Sequence, residues 1–159
     1  MPQRLPLQIA TYASLLFIII GNVNAKDLCN RDNLDQTSMN QCAHSDYIKV
    51  EADLNSLVAD IINLYKEDEN FIAAFKESQN NWQKQLELDL RMRFPEEDSR
   101  LQYGSIFPVC YYMHRTALTQ NRINYLQEWI IGHEAGEMCS GSVMHEFYLE
   151  DSNETEVSE

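Results

Sequence analysis

The chain has 159 residues, with 12 Lys and Arg against 25 Asp and Glu, for a net charge of −13. A field of that sign repels phosphate backbones and anionic membrane surfaces, and no basic patch offsets it, so nucleic acid is excluded as a partner. The same field attracts basic partners and speeds their encounter.

The first 25 residues read as a leader. Arg4 supplies a positive charge, an apolar run follows from Leu5 and is densest over Leu15 to Ile20, and Gly21 breaks it. Val23 and Ala25 occupy the −3 and −1 sites, so a secretory signal peptide cleaved after Ala25 is expected. The run is too short and its flank too cleavable for a membrane anchor. Cys29 follows Lys26-Asp27-Leu28 and lacks the small-residue box of a lipoprotein. Cleavage removes Arg4 and no acid, taking the charge from −13 to −14. The chain is then periplasmic or secreted, with no membrane insertion. One helical domain is expected over 26–135, followed by a Cys-containing extension and acidic tail over 136–159. Cys29, Cys42, Cys110 and Cys139 all survive cleavage, and an even count in an exported protein reads as two disulfides.

Helix one is predicted from about Met39 to Tyr65, capped by Ser38 or Asn40. Ala43, Tyr47, Val50, Leu54, Leu57, Ile61 and Leu64 fall on its inner face. The polar turn Lys66 to Asn70 follows. Helix two is predicted from about Asn70 to Phe94, with Phe71, Phe75, Ser78, Trp82, Leu86 and Leu90 as its stripe, and Pro95 stops it. Residues 95–108 have Pro at both ends and Gly104 within, and read as a loop. Helix three is predicted from about Val109 to His133, lined by Met113, Thr116, Ala117, Ile123, Leu126 and Ile130, and closed by Gly132 or Gly136. From Glu146 there are six acids and no Lys or Arg, which reads as a solvated, disordered tail. No strand-like alternation competes. The predicted fold class is all-α, a small antiparallel up-down-up three-helix bundle.

Catalytic patterns are missing. There is no Gly-x-Ser-x-Gly, no phosphate loop and no Cys-x-x-Cys. His133-Glu134 opens like a zinc-protease motif, but Glu137 stands where the second histidine belongs, and His133, Cys139 and His145 are loosely spaced. No catalytic residue, cofactor or metal is expected. What remains is a set of polar residues beside the core stripes: Asn55 after Leu54, Gln79 one turn before Trp82, and Thr119 and Arg122 one turn apart. A buried polar group without a partner costs roughly 1–3 kcal/mol, so these four are expected to form an interhelical hydrogen-bond network.

Four motifs then occur in order: MNQCA…Y…ADLN (Met39 to Asn55, with Leu54 at its core), SQNNW (Ser78 to Trp82), GS…P (Gly104 to Pro108) and ALTQNR (Ala117 to Arg122). Together they resemble the LprI-type lysozyme-inhibitor family, over about Cys29 to Trp129. The resemblance implies an exported, disulfide-tied helical domain that binds a lysozyme, a typically cationic wall-degrading enzyme, and performs no catalysis. The alternative reading is a structural, adaptor or immunity-type protein recognising another envelope protein.

Two family cysteines are replaced here, by Leu90 and His114, which is what losing one bridge looks like. The resemblance then pairs Cys29 with Cys42. Cys110–Cys139 needs a shorter or broken third helix; Cys42–Cys110 with Cys29–Cys139, or a bridge between chains, are the alternatives. Tyr103 stands where the family often has a second glycine beside Gly104. The candidate partner contact is Tyr103, Gly104, Ser105 and Phe107, the longest loop, with Glu96, Glu97 and Asp98 nearby.

Overall fold

The computed structural model describes residues 35–146, 148 and 149. The expected leader and its cleavage site, Cys29, and the acids from Glu150 onward lie outside the described residues.

Every regular element among the described residues is helical. Helix α1 spans Gln36–Leu64. It starts earlier than the apolar periodicity suggests because Asp35 caps it: the Asp35 carboxylate accepts the Ser38 N–H at 2.7 Å. That backbone hydrogen bond holds the Asp35 carboxyl below its ordinary value. The buried face of α1 is Cys42, Ala43, Tyr47, Leu54 and Ile61. The last three recur every seventh residue, the step of a helix lying along a neighbour. Val50, Leu57 and Leu64 flank this line half-buried.

Helix α2 spans Glu69–Arg93. Asp68 accepts the Phe71 N–H at 2.9 Å, Glu69 lies in the first turn, and Arg91 and Arg93 lie in the last, so both ends suit the helix dipole. Phe71, Phe75, Leu86 and Leu90 are buried, Trp82 is half-buried, and Ser78 is exposed.

The segment read as a loop contains a short helix, α3, at Ser99–Tyr103. Helix α4 then spans Phe107–Leu126, with Pro108 in the first turn, where no intrahelical N–H bond is lost. The third predicted helix is corrected in two ways. It ends at Leu126, and a turn at Gln127 separates a one-turn helix α5, Glu128–Ile131. Its inner face is Thr119, Ile123 and Leu126, whereas Met113, Ala117 and Ile130 are exposed.

The long helices run up, down and up: α1 and α4 are parallel, and α2 is antiparallel to both. α1 packs most closely against α4, and α2 closes the bundle through its aromatic side chains. The core is Leu54, Ile61, Tyr65, Phe71, Phe75, Ile123 and Leu126.

Among the described residues, no two cysteines are bonded to each other. Cys110 and Cys139 are free thiols, while Cys42 is bonded and its partner lies outside the described residues. Cys110 sits in the first turn of α4 and Cys139 lies beyond its far end. The helix between them adds about 24 Å, far over the reach of a disulfide.

The extension after α5 returns to the bundle. His133 N–H donates to Met144 O at 3.0 Å and Glu146 N–H to His133 O at 3.1 Å, a single parallel bridge between His133 and His145. Val143 and Leu149 are buried. The expectation of a solvated tail from Glu146 is therefore corrected as far as Leu149, whose burial outweighs the polarity around it.

Tyr65, at the end of α1, is the fastener. Its hydroxyl donates to Trp129 O at 3.2 Å and accepts the Met144 N–H at 3.0 Å. Tyr65→Phe strips partners from both backbone groups, and is expected to cost about 1–3 kcal/mol, read as a lower urea midpoint. Burial raises the phenol above its ordinary value, against the Met144 N–H, which pulls it down. The stabilisation is therefore intact below the unfolded tyrosine value of about 10 and is lost as pH rises through the higher folded value.

Candidate functional site

The end of the bundle where α2 stops and α4 starts is built on Phe94. Asp98 caps α3 by accepting the Leu101 N–H at 3.0 Å. Gly104, at φ 73°, lets the chain leave α3, and its carbonyl accepts the Phe107 N–H at 3.2 Å as α4 begins. These turns bring Tyr103 and Phe107 edge-on to Phe94, with ring centroids at 5.5 and 5.3 Å, and stack them on each other at 5.8 Å.

The candidate contact residues are thus adjacent but unequal. Gly104 and Ser105 are exposed, while Tyr103 and Phe107 are half-buried. Rings that cover Phe94 remove more apolar area from water than rings left outside. What faces solvent is aliphatic: Leu101 is 84% exposed and Ile106 42%. The sequence reading missed both. The signal was there, since each is a large apolar residue in a segment punctuated by Gly104.

Beside the loop lies an open groove of about 430 Å³ between the starts of α1 and α4. Asn40, Gln41 and His44 line one side and Phe107, Tyr111 and Tyr112 the other. His44 and Tyr47 both meet the Tyr112 ring, at 4.6 and 5.8 Å. Charge is balanced here: residues 91–100 contain Arg91, Arg93 and Arg100 against Glu96, Glu97, Asp98 and no other acid. Past the other end of α4, the described residues include Glu128, Glu134, Glu137 and Glu146 and no Lys or Arg.

Of the four polar residues expected to join, two do. Arg122 Nε donates to Gln79 Oε1 at 2.6 Å, and its Nη2 donates to Ser78 Oγ at 2.9 Å. The guanidinium lies over the Trp82 and Tyr125 rings at 5.8 and 5.2 Å, and burial lowers its pKa. Thr119 is buried but donates to Arg115 O of its own helix at 2.9 Å. Asn55 is exposed on α1, outside this group. A residue directly after a core leucine is rotated some 100° from it, which is enough to leave the core.

The more connected cation is Arg115, which the sequence reading passed over. Its Nη1 meets Glu87 at 2.8 Å and Tyr111 Oη at 2.9 Å, and the guanidinium covers the Tyr47 ring at 4.9 Å. Burial opposes its charge, but Tyr47, Tyr111 and Glu87 outweigh it and raise its pKa. Tyr47 in turn donates to Glu51. Among the described residues, no three His, Cys, Asp or Glu side chains are placed to hold a metal ion. No described helix is long and apolar enough to cross a membrane.

These features define a small all-helical domain with a short-helix loop and an aromatic-walled groove at one end. The chain belongs to the LprI lysozyme-inhibitor family: the family model, described as lysozyme inhibitor LprI, matches residues 29–126. The match ends where α4 ends, so α5 and the returning extension lie beyond it. The family is one of inhibitors, not of catalysts. No curated protein and no solved structure matches the chain.

Proposed function

We propose that this protein is exported and inhibits a lysozyme by covering its cleft, with no chemistry of its own. The observation that carries this reading is the family match over residues 29–126. The net charge of −13 supports it, because a cationic enzyme meets an acidic domain quickly at low salt. The contact is the loop end: Tyr103, Gly104, Ser105 and Phe107, with Leu101 and Ile106 as its outward apolar side chains. In the same reading Cys42 bridges to Cys29 and staples the N-terminal segment to the start of α1. A bridge closing so short a loop contributes about 3 kcal/mol on the chain-entropy model.

The test is lysozyme clearing of a bacterial cell-wall suspension, with the processed chain from Lys26 added at low and at moderate salt. Inhibition that persists at moderate salt is expected, since a shaped interface outlasts screening. Inhibition confined to low salt means charge pairing alone. No inhibition of several lysozyme types would move the assignment to an adaptor of another envelope protein.

Leu101→Ser and Ile106→Ser map the contact. Both side chains are exposed, so an inhibition loss of at least about tenfold with an unchanged Tm is expected. Tyr103→Ala and Phe107→Ala are poorer probes, because both rings pack on Phe94 and their loss lowers stability as well.

A further inference from the structure

Midway along the bundle the three long helices part around a cleft of about 210 Å³. Glu51 and Asn55 of α1, Trp82, Gln83 and Glu87 of α2, and Arg115 of α4 line it, above the buried Leu54, Leu86 and Thr119. Asn55, Gln83 and Glu87 are exposed and open the cleft to solvent. Arg115 Nε is buried and has no hydrogen-bond partner, although Nη1 of the same guanidinium meets both Glu87 and Tyr111. A native fold leaves few such donors, and one in the wall of a cleft is short of an acceptor.

The lining selects among ligand classes. An anion meets two carboxylates, Glu51 and Glu87. A cation meets Arg115. A neutral ligand whose groups both donate and accept suits all of them: hydroxyls donate to the carboxylates and to the Asn55 and Gln83 carbonyls, and accept from their amides and from Arg115. Trp82 adds an apolar surface, and such sites combine aromatic walls with a few fixed polar groups. The volume holds one ring.

We infer that this cleft binds a single neutral pyranose, its hydroxyls shared among Asn55, Gln83, the two carboxylates and Arg115, and its apolar face on Trp82. Nothing in this assignment depends on lysozyme inhibition, and the experiment contains no lysozyme, so the two readings fail separately.

Chain from Lys26 to Glu159 carrying Trp129→Phe leaves Trp82 as the sole indole. Titration with glucose and with N-acetylglucosamine is expected to change its emission saturably in the millimolar range. Cationic glucosamine and anionic glucuronate are expected to bind at least about tenfold more weakly. Asn55→Ala and Gln83→Ala, both at exposed positions, are expected to weaken the response to the neutral sugars by at least about tenfold with unchanged Tm. The side-chain amide resonances of Asn55 and Gln83 in the unsubstituted chain give a second readout that does not rely on the Trp129 variant. The assignment is overturned if neither neutral sugar shifts those resonances, if a charged sugar binds more tightly, or if both alanine variants respond as before.

Discussion

Ile61→Ala is expected to destabilise the protein by about 4 kcal/mol, enough to unfold a large share of a marginally stable domain on warming. Ile61 is fully buried and sits in the cluster formed by Leu54, Tyr65, Phe71, Phe75, Ile123 and Leu126, which draws on all three long helices. Deleting its outer carbons removes apolar contact and leaves a cavity whose aromatic walls are too stiff to collapse. A denaturant titration reads this as a lower midpoint at an unchanged slope. A loss under about 1 kcal/mol would mean that the core is not centred on this position. Met113→Ala is the control: the side chain is 62% exposed, and little change is expected.

Gly132→Ala is expected to release the C-terminal extension while leaving the bundle folded. Gly132 has φ 81° and ψ −175°, a region open almost only to glycine, so any side chain there carries roughly 1–3 kcal/mol of strain before contacts are considered. An added Cβ would lie 2.7 Å from Leu149 Cδ1, 2.9 Å from Met144 O and 3.0 Å from Glu146 Cα. The leucine tip can swing aside. The two backbone atoms cannot move without breaking the bond from His133 N–H to Met144 O. Hydrogen exchange distinguishes the outcomes: the His133 and Glu146 amides lose protection, and amides within α1 and α4 keep it. Gly136→Ala isolates the backbone term, because φ is 95° there and nothing lies within 4 Å of an added Cβ. Equal protection in the two variants would show that the close approach at Gly132 is not what seats the extension.

Much of the bundle is legible in the sequence because burial repeats at a helical period. The first two helices fall within a few residues of their predicted bounds. Tyr47, Leu54 and Ile61, and then Phe71, Phe75, Leu86 and Leu90, are buried as their spacing implies. The third helix is read less well, since Met113 and Ile130 carry apolar character on the solvent side and blur its stripe. The Asp35 cap is hidden because it lies four residues before Met39, the first apolar residue of the helix. Helix α3 is only five residues long, too short for a period to show. The returning extension is the largest omission. Its anchors Val143 and Leu149 sit in two short apolar runs, 143–144 and 147–149, between Gly, Ser and acids, and neither run is long enough to show a period. At the loop end, position in the chain located the segment, but not which of its side chains point outward. That follows from Phe94, which recruits Tyr103 and Phe107 from opposite sides of Gly104.

The closest partner of α1 is α4, not the helix that follows it. The Tyr47–Tyr112 contact, for instance, can form only after all of α2 and α3 has been looped out between its two members. Closing so long a loop costs entropy before burial returns anything, so the chain should fold more slowly than a bundle zipped from successive hairpins. A nascent chain that stops short of α4 lacks the surface against which α1 buries Tyr47, Leu54 and Ile61. The order of helices thus delays folding until nearly the whole domain has been synthesised.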